Sequence, residues 1–319
     1  MKIVITDSIF LEQEHIDRLK DLGTVQIYND LPLSEGELIS RLKDAEIAIV
    51  GWVYVKSEAI EKLTHLKMIS IWGTGYDSVD IKAAESHGIA VTNVPGYAAE
   101  AVAEHVFALI LSFIRKIPDA DRHIKMGNFD WNKFRGFELV RKTIGVIGMG
   151  SIGSRVAEIA RCFGLNVISF TAHPSKEKAR KFKVRFLPLD DVLSQSDFLT
   201  IHVPLTAETE KMIGYTEFNK MKKDVVIINT SRGKVIDETA LIEALKSGKI
   251  AGACLDVLAK EPPGKEHPLL NFDNVILTPH IAFNTTEALR RCTDICIDNV
   301  EAFIKGTPQN VVNLNLNNK

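Results

Sequence analysis

The sequence predicts an α/β protein of two doubly wound parallel-sheet domains, one inserted in the other. Three observations predict it. Short β-branched runs alternate with helix-patterned segments along the whole chain, the layout of parallel strands covered by helices. The strand runs after residue 143 are almost continuously apolar, as burial on both faces requires. The length, 319 residues, exceeds one ordinary domain and suits two cores.

In order along the chain, strands are expected at Lys2–Thr6, Val25–Tyr28, Ile47–Val50, Met68–Ile71 and Ala90–Thr92. Ser34-Glu35-Gly36-Glu37 has the form of a capping box opening a helix toward Leu42. Ala99–Ile117 reads as one long helix carrying the chain from the first sheet to the second. The second strand series is Thr143–Ile147, Asn166–Phe170, Phe198–Val203, Val225–Asn229, Ile250–Asp256 and Val275–Thr278. Asn284-Thr285-Thr286-Glu287 then caps a helix to about Phe303 that returns the chain. The expected division is one domain of residues 1–98 plus 286–319 and a second, inserted domain of residues 99–285.

Charge is nearly balanced, 39 Lys and Arg against 41 Asp and Glu, so nothing basic calls for nucleic acid or anionic lipid. Ile3-Val4-Ile5 is too short for a signal-peptide core, and Ala101–Ile114, broken by Glu104 and His105, is too short to span a membrane. A cytoplasmic protein with a small-molecule partner is expected. Cys162, Cys254, Cys292 and Cys296 lie in apolar or helical patterns, which reads as reduced core thiols, and no metal site is expected. The one dense charge run, Lys176–Arg185, reads as a solvated helix face. The apolar content of the 99–117 helix exceeds one buried stripe, so a homodimer through that helix is expected.

Gly148-Met149-Gly150-Ser151-Ile152-Gly153 sits between a strand and a helical pattern. There, glycines let backbone N–H groups approach a pyrophosphate at a positive helix end. The acidic residue that would hold the ribose hydroxyls of NAD about twenty positions on is missing. In its place stands Thr171, followed by His173 and Lys176, which repel no 2′-phosphate. The expected cofactor is NAD or NADP, with a lean to NADP.

Three further segments each follow a buried strand. Asn229-Thr230-Ser231-Arg232-Gly233 offers a guanidinium that can grip a carboxylate in two places and polarise a carbonyl. Asp256–Pro263 carries Glu261, and Thr278-Pro279-His280-Ile281-Ala282 carries His280. A carboxylate beside an imidazole fixes its tautomer and favours its protonated form, so the pair reads as a proton relay. A carboxylate grip and a proton relay beside a dinucleotide loop are the parts of a hydroxy-acid dehydrogenase.

Motifs along nearly the whole chain occur in the order found in one family. They are Gly73-Thr74-Gly75-Tyr76-Asp77-Ser78-Val79-Asp80, Asn93-Val94-Pro95-Gly96-Tyr97, Ala103-Glu104-His105, the Gly148–Gly153 turn, His202-Val203-Pro204-Leu205-Thr206 and the three segments above. The chain resembles the D-isomer-specific 2-hydroxyacid dehydrogenases, close to their hydroxypyruvate/glyoxylate reductase (glycerate dehydrogenase) branch. The resemblance implies a Rossmann cofactor domain inserted in a flavodoxin-like substrate domain, and a homodimer. It implies that Arg232 binds the substrate carboxylate and carbonyl, that His280 is proton donor and acceptor, and that Glu261 orients it. It also implies carboxylate-binding amides at Thr74 and Gly75, a contact of Asp256 with the nicotinamide amide, and a cofactor channel along Val203, Pro204, Thr206 and Thr230.

Where NAD-preferring members usually carry Asp, this chain has Thr171; where formate dehydrogenases pair the histidine with Gln, it has Glu261. The chain stops at Lys319, which leaves no room for the regulatory tail of long phosphoglycerate dehydrogenases. The leading expectation is reduction of hydroxypyruvate or glyoxylate to the D-hydroxy acid. A D-lactate-type dehydrogenase and a dinucleotide-sensing corepressor are the alternatives. Trp52, Tyr54 and Trp72 at strand ends are read first as packing and second as determinants of substrate choice.

Overall fold

The computed structural model describes residues 1–313; the last six residues of the expected 286–319 segment lie outside the described residues. The chain forms two compact units, Met1–Ala98 with Thr285 onward, and Ala99–Asn284.

The first unit holds β1 (Lys2–Ile5), α1 (Gln13–Leu22), β2 (Thr24–Ile27), α2 (Glu35–Leu42), β3 (Ile47–Val50), α3 (Ser57–Ile60), β4 (Met68–Ile71), α4 (Ile81–Ser86) and β5 (Ala90–Thr92). The strands pair in parallel in the order β2-β1-β3-β4-β5. Ile3, Ile5, Ile47, Ile49, Met68 and Ile69 are buried, as expected of strands covered on both faces. Ser34 caps α2 by accepting from the Glu37 amide at 3.2 Å. Glu37 reaches back one residue further than the expected box, to the amide of Leu33 at 2.8 Å.

The second unit begins with α5 (Ala99–Ile114) and α6 (Ile117–Lys125). It continues through β6 (Thr143–Ile147), α7 (Ser151–Cys162), β7 (Asn166–Phe170), α8 (Lys176–Phe182), β8 (Arg185–Phe186), α9 (Leu189–Gln195) and β9 (Phe198–Ile201). It closes with α10 (Tyr215–Lys220), β10 (Val226–Asn229), α11 (Glu238–Lys246), β11 (Gly252–Leu255) and β12 (Val275–Leu277). Seven parallel strands lie in the order β12-β11-β10-β9-β6-β7-β8. The order in which strands are added reverses between β6 and β9, which is where an open α/β sheet leaves a crevice for ligand at its carboxyl edge.

α12 (Thr286–Ile304) belongs to the first unit and is capped by Thr285, whose hydroxyl accepts from the Ala288 amide. It packs on β4, where Trp72 Nε1 donates to Thr293 Oγ1 at 2.9 Å and Ser70 Oγ donates to the Cys296 carbonyl at 3.3 Å. Trp72 is thus a packing residue, while Trp52 and Tyr54 are exposed.

Several expectations change. The helix from Ala99 ends at Ile114, because Lys116 takes a left-handed conformation (φ 52°) and Pro118 then opens α6. Much of the apolar surface of α5 is consumed within its own unit, where Val106, Phe107, Leu109 and Ile110 join the buried core. Exposed apolar side chains instead follow it, at Ile124, Met126, Phe129, Trp131, Phe137 and Val140. Cys162 ends α7 exposed and is not a core thiol, whereas Cys254, Cys292 and Cys296 are buried. The short strand β8 was not expected. Strands at the carboxyl edge stop early, so Val203, Asp256 and Thr278 stand in loops beyond β9, β11 and β12.

Among the described residues no helix is long and apolar enough to cross a membrane.

Candidate active site

The glycine turn after β6 has three glycines with three different reasons to lack a side chain. A Cβ on Gly148 (φ 95°) would lie 2.4 Å from the His202 carbonyl oxygen, so the turn tucks under the β9 end. A Cβ on Gly153 would lie 2.0 Å from the Gly148 oxygen, so α7 packs directly on the turn. A Cβ on Gly150 would meet nothing within 4 Å. That glycine, at the N-terminus of the twelve-residue α7, leaves open the side from which an anion would approach. A tight turn, an open approach and close helix packing are what a pyrophosphate needs, so the residues present fit a dinucleotide. Met149 is buried, Ser151 and Ile152 begin α7, and none of them obstructs the turn.

Other expected cofactor residues lie in loops along the same carboxyl edge. Thr171 follows β7, and its hydroxyl accepts from the His173 amide at 3.4 Å. His173 and Lys176 are exposed. Val203, Pro204 and Thr206 follow β9, with Thr206 Oγ1 donating to Glu208 at 2.7 Å. Thr230 follows β10, and its buried hydroxyl has no hydrogen-bond partner within the protein, as a donor or acceptor for bound ligand would be before binding. Most of the Lys176–Arg185 run is solvated, but Lys178 turns inward, and its Nζ donates to the Met149 carbonyl on the glycine turn at 2.7 Å. Sequence reasoning missed it. The available signal was its place three residues past the Ser175 cap of the helix that follows β7.

Arg232, Glu261 and His280 come together from loops after β10, β11 and β12. Asn229 shapes the first: its Oδ1 accepts from the Ser231 amide (3.0 Å) and hydroxyl (2.8 Å), and its Nδ2 donates to the Arg232 carbonyl at 2.9 Å. Next to Arg232, a Cβ on Gly233 would fall 2.0 Å from the Leu258 carbonyl carbon, so the Arg232 loop rests directly on the backbone leading to Glu261. Glu261 folds back on that backbone, Oε1 accepting from the Leu258 amide at 2.9 Å, and its Oε2 meets His280 Nδ1 at 2.8 Å.

The carboxylate is therefore held from both oxygens. Partial burial pushes the Glu261 pKa up, but the His280 bond, the Leu258 amide and the charges of His280 and Arg232 outweigh it and hold the carboxyl below its ordinary value. An ionised Glu261 requires a proton on Nδ1 of His280, which leaves Nε2 as the atom that gives or takes a proton. His280 is set in a left-handed conformation (φ 54°), with its amide bonded to the Asp256 carbonyl at 2.8 Å.

Asp256, expected to touch the cofactor, is fully enclosed. Its carboxylate accepts from Thr278 Oγ1 (2.5 Å), the Ile281 amide (2.9 Å) and the Ala282 amide (2.8 Å), which fastens the loop carrying His280. His202 is a half-buried residue whose imidazole bonds to Thr200, and burial of the ring pushes its pKa down to about 3, which favours the neutral form.

In the first unit, Thr74 and Gly75 follow β4. Thr74 Oγ1 donates to the Val94 carbonyl and Asn93 Nδ2 donates to the Thr74 carbonyl, each at 2.7 Å, so this glycine-flanked loop is pinned to the strand end beside it. One group of carboxylates and a histidine, Glu12, Glu14 and His15, has ligand atoms close enough for a cation. Arg290 already neutralises both glutamates.

Comparison with known proteins was consistent along the chain. Residues 107–282 match the model of the D-isomer specific 2-hydroxyacid dehydrogenase NAD binding domain. The D-3-phosphoglycerate dehydrogenase of Archaeoglobus fulgidus is 41% identical over 98% of this chain, and the chain spans 59% of that protein's length. The glycerate dehydrogenase of Methylorubrum extorquens is 37% identical over 95% of this chain and 98% of its own. Among solved structures, an acyclic imino acid reductase in complex with NADPH and D-Arg superimposes with a TM-score of 0.91, 36% identity and coverage of 98% and 100%.

Proposed function

The chain belongs to the D-isomer specific 2-hydroxyacid dehydrogenase family, and from that membership we propose that it reduces a small 2-oxo acid, hydroxypyruvate or glyoxylate, to the D-2-hydroxy acid. The observation that carries the reading is the 2.8 Å bond between Glu261 and His280 beside the Arg232 loop, on the same sheet edge as the glycine turn. A bound reduced nicotinamide would supply hydride to the carbonyl carbon. Arg232 pairs with the substrate carboxylate and draws charge toward the carbonyl oxygen. His280 Nε2 protonates that oxygen, and Glu261 stabilises the imidazolium that must exist beforehand. In the oxidative direction His280 is the base.

The residues at the end of β7 favour NADP. Thr171 offers a hydroxyl where a carboxylate would exclude a 2′-phosphate, and the Lys178 ammonium stands at the glycine turn. The glycine turn, Thr171, Lys178, Val203, Pro204, Thr206 and Thr230 form the proposed cofactor surface, in a dinucleotide-binding domain of 99–285.

Initial rates with NADH and NADPH against hydroxypyruvate, glyoxylate, pyruvate and phenylpyruvate test the reading. A 2-imino acid belongs in the same panel, because it presents the same carboxylate beside an electrophilic carbon and one similar protein is named an imino acid reductase. Fastest turnover of hydroxypyruvate or glyoxylate is expected. Preference for pyruvate would move the assignment to a lactate-type dehydrogenase, and preference for the imine to an amine-forming reductase.

A further inference from the structure

The proton relay explains Glu261 and His280 but leaves unexplained a histidine on the largely buried side of α5. His105 lies between the buried residues Ala103 and Val106, with its side chain 18% exposed. Its Nε2 is 3.1 Å from Thr278 Oγ1 and 3.6 Å from Asp256 Oδ1. Thr278 has a single hydroxyl hydrogen, and at 2.5 Å from Asp256 Oδ1 that hydrogen goes to the buried carboxylate, which can only accept. The threonine oxygen is then an acceptor toward His105, so the imidazole carries its proton on Nε2.

A directed chain results: His105 Nε2–H donates to Thr278, whose hydroxyl donates to Asp256. Asp256 also receives the amides of Ile281 and Ala282, and its carbonyl receives the amide of His280. Asp256 is itself tied to the Arg232 strand by its amide, which donates to the Asn229 carbonyl at 2.9 Å. Burial lowers the His105 pKa more than the charge of Asp256 raises it, in keeping with a neutral donor.

We propose that His105 is a positioning residue for the relay: through Thr278 and Asp256 it holds the Thr278–Ala282 loop that presents His280 in its left-handed conformation to Glu261. A left-handed non-glycine residue persists only where its surroundings over-determine it, and here four donors converging on Asp256 do so. His105 supplies the last link, turning a threonine that could rotate into one with a single orientation. The role of the His280 loop as proton carrier rests on the proposed dehydrogenase reading; the order of the loop itself does not.

The test uses the full chain and two readouts. In His105→Leu, which cannot donate, amide exchange at His280, Ile281 and Ala282 should quicken about tenfold or more. kcat should fall on the order of 10- to 100-fold, the loss typical of a misplaced catalytic group, with cofactor affinity within about twofold. His105→Gln, whose amide can donate to Thr278, should restore both to within about threefold of wild type. Thr278→Val breaks the same chain without touching α5 and should reproduce the Leu phenotype. The double variant should be no worse than Thr278→Val alone, because both remove one chain. Wild-type exchange and kcat in Thr278→Val or His105→Leu, or no recovery with Gln, would overturn the proposal. Were the wild-type chain to reduce no 2-oxo acid with either nicotinamide, the dehydrogenase reading would fall, and the exchange rates would still decide the positioning claim.

Discussion

His280 Nδ1 and Glu261 Oε2 stand 2.8 Å apart, and the same glutamate is fixed at its other oxygen by the Leu258 amide. The pair is thus aimed before any substrate arrives, and its charge state sets the pH behaviour. The depressed Glu261 pKa means its contribution is complete above the ordinary value of 4.5 and is lost as pH falls through the lowered folded value. Glu261→Gln removes the anion but keeps a hydrogen-bonding group. Loss of the anion removes the partner of the imidazolium, so the alkaline limb of the reduction rate should move to lower pH. kcat at neutral pH should drop. A profile superimposable on wild type would show that Glu261 does not tune His280.

Cofactor choice should be decided by two residues on the glycine-turn side of the sheet. Lys178→Met should weaken NADPH binding about tenfold or more and leave NADH within about twofold, since a hydrogen bond to a charged group contributes ~1.5–3 kcal/mol. Thr171→Asp should reverse the preference, because a carboxylate binds ribose hydroxyls and repels a 2′-phosphate. Fluorescence titration with each reduced cofactor, in the absence of substrate, measures both. Equal losses for NADH and NADPH in Lys178→Met would mean that the lysine only braces the turn through Met149.

Gly233 joins the Arg232 loop to the backbone before Glu261, where an added Cβ would strike the Leu258 carbonyl carbon at 2.0 Å. Backbone cannot yield as a flexible side chain does, so Gly233→Ala must displace one loop from the other. Overpacking of this kind costs about 1–3 kcal/mol. kcat/KM should fall further than stability alone implies, since both the guanidinium and the carboxylate shift. Thermal denaturation and steady-state rates on one sample separate the two. A variant with normal rates would show that the contact is not needed for the site.

Arg232→Lys keeps the charge but loses the planar fork that matches a carboxylate. kcat/KM should fall about 100-fold or more, while the affinity for reduced cofactor, read by fluorescence, stays within about twofold. Recovery of most activity with lysine would reduce the role of Arg232 to a point charge.

How much of this was legible depended on the range of the interaction. The parallel strands were readable because apolar runs such as Ile47–Val50 and Thr143–Ile147 need only local pattern, and both match their observed limits. The glycine turn was readable because its three glycines answer steric demands within six residues. The inward turn of Lys178 was not, since a basic run looks solvated until β7 sets its helix beside the turn. Nor was the convergence of His105, Thr278 and Asp256, which joins positions 173 and 22 residues apart. The 99–117 segment was ambiguous for a related reason: its excess apolar surface reads the same whether covered by its own sheet or by another subunit, and its own unit covers much of it while Leu111, Ile114 and Arg115 line an open groove.

The apolar surface that remains uncovered lies just after that helix. Phe129 and Trp131 are 89% and 72% exposed, and Phe137, Val140 and Phe163 line a groove of about 480 Å³ nearby in sequence and unit. Large apolar side chains left exposed in one segment, with an apolar groove in the same unit, suit an interface, and a second copy of the chain is the proposed occupant. Light scattering at micromolar concentration should give the mass of a dimer. Phe129→Asp with Trp131→Asp should shift it toward the 35.5 kDa monomer, since burying two uncompensated carboxylates costs several kcal/mol. Reduced-cofactor binding should persist in that variant, because the proposed cofactor surface, from the glycine turn and Lys178 to Thr230, includes neither Phe129 nor Trp131. A wild-type chain that scatters as a monomer, or a double variant that remains dimeric, would place the subunit contact elsewhere or remove it.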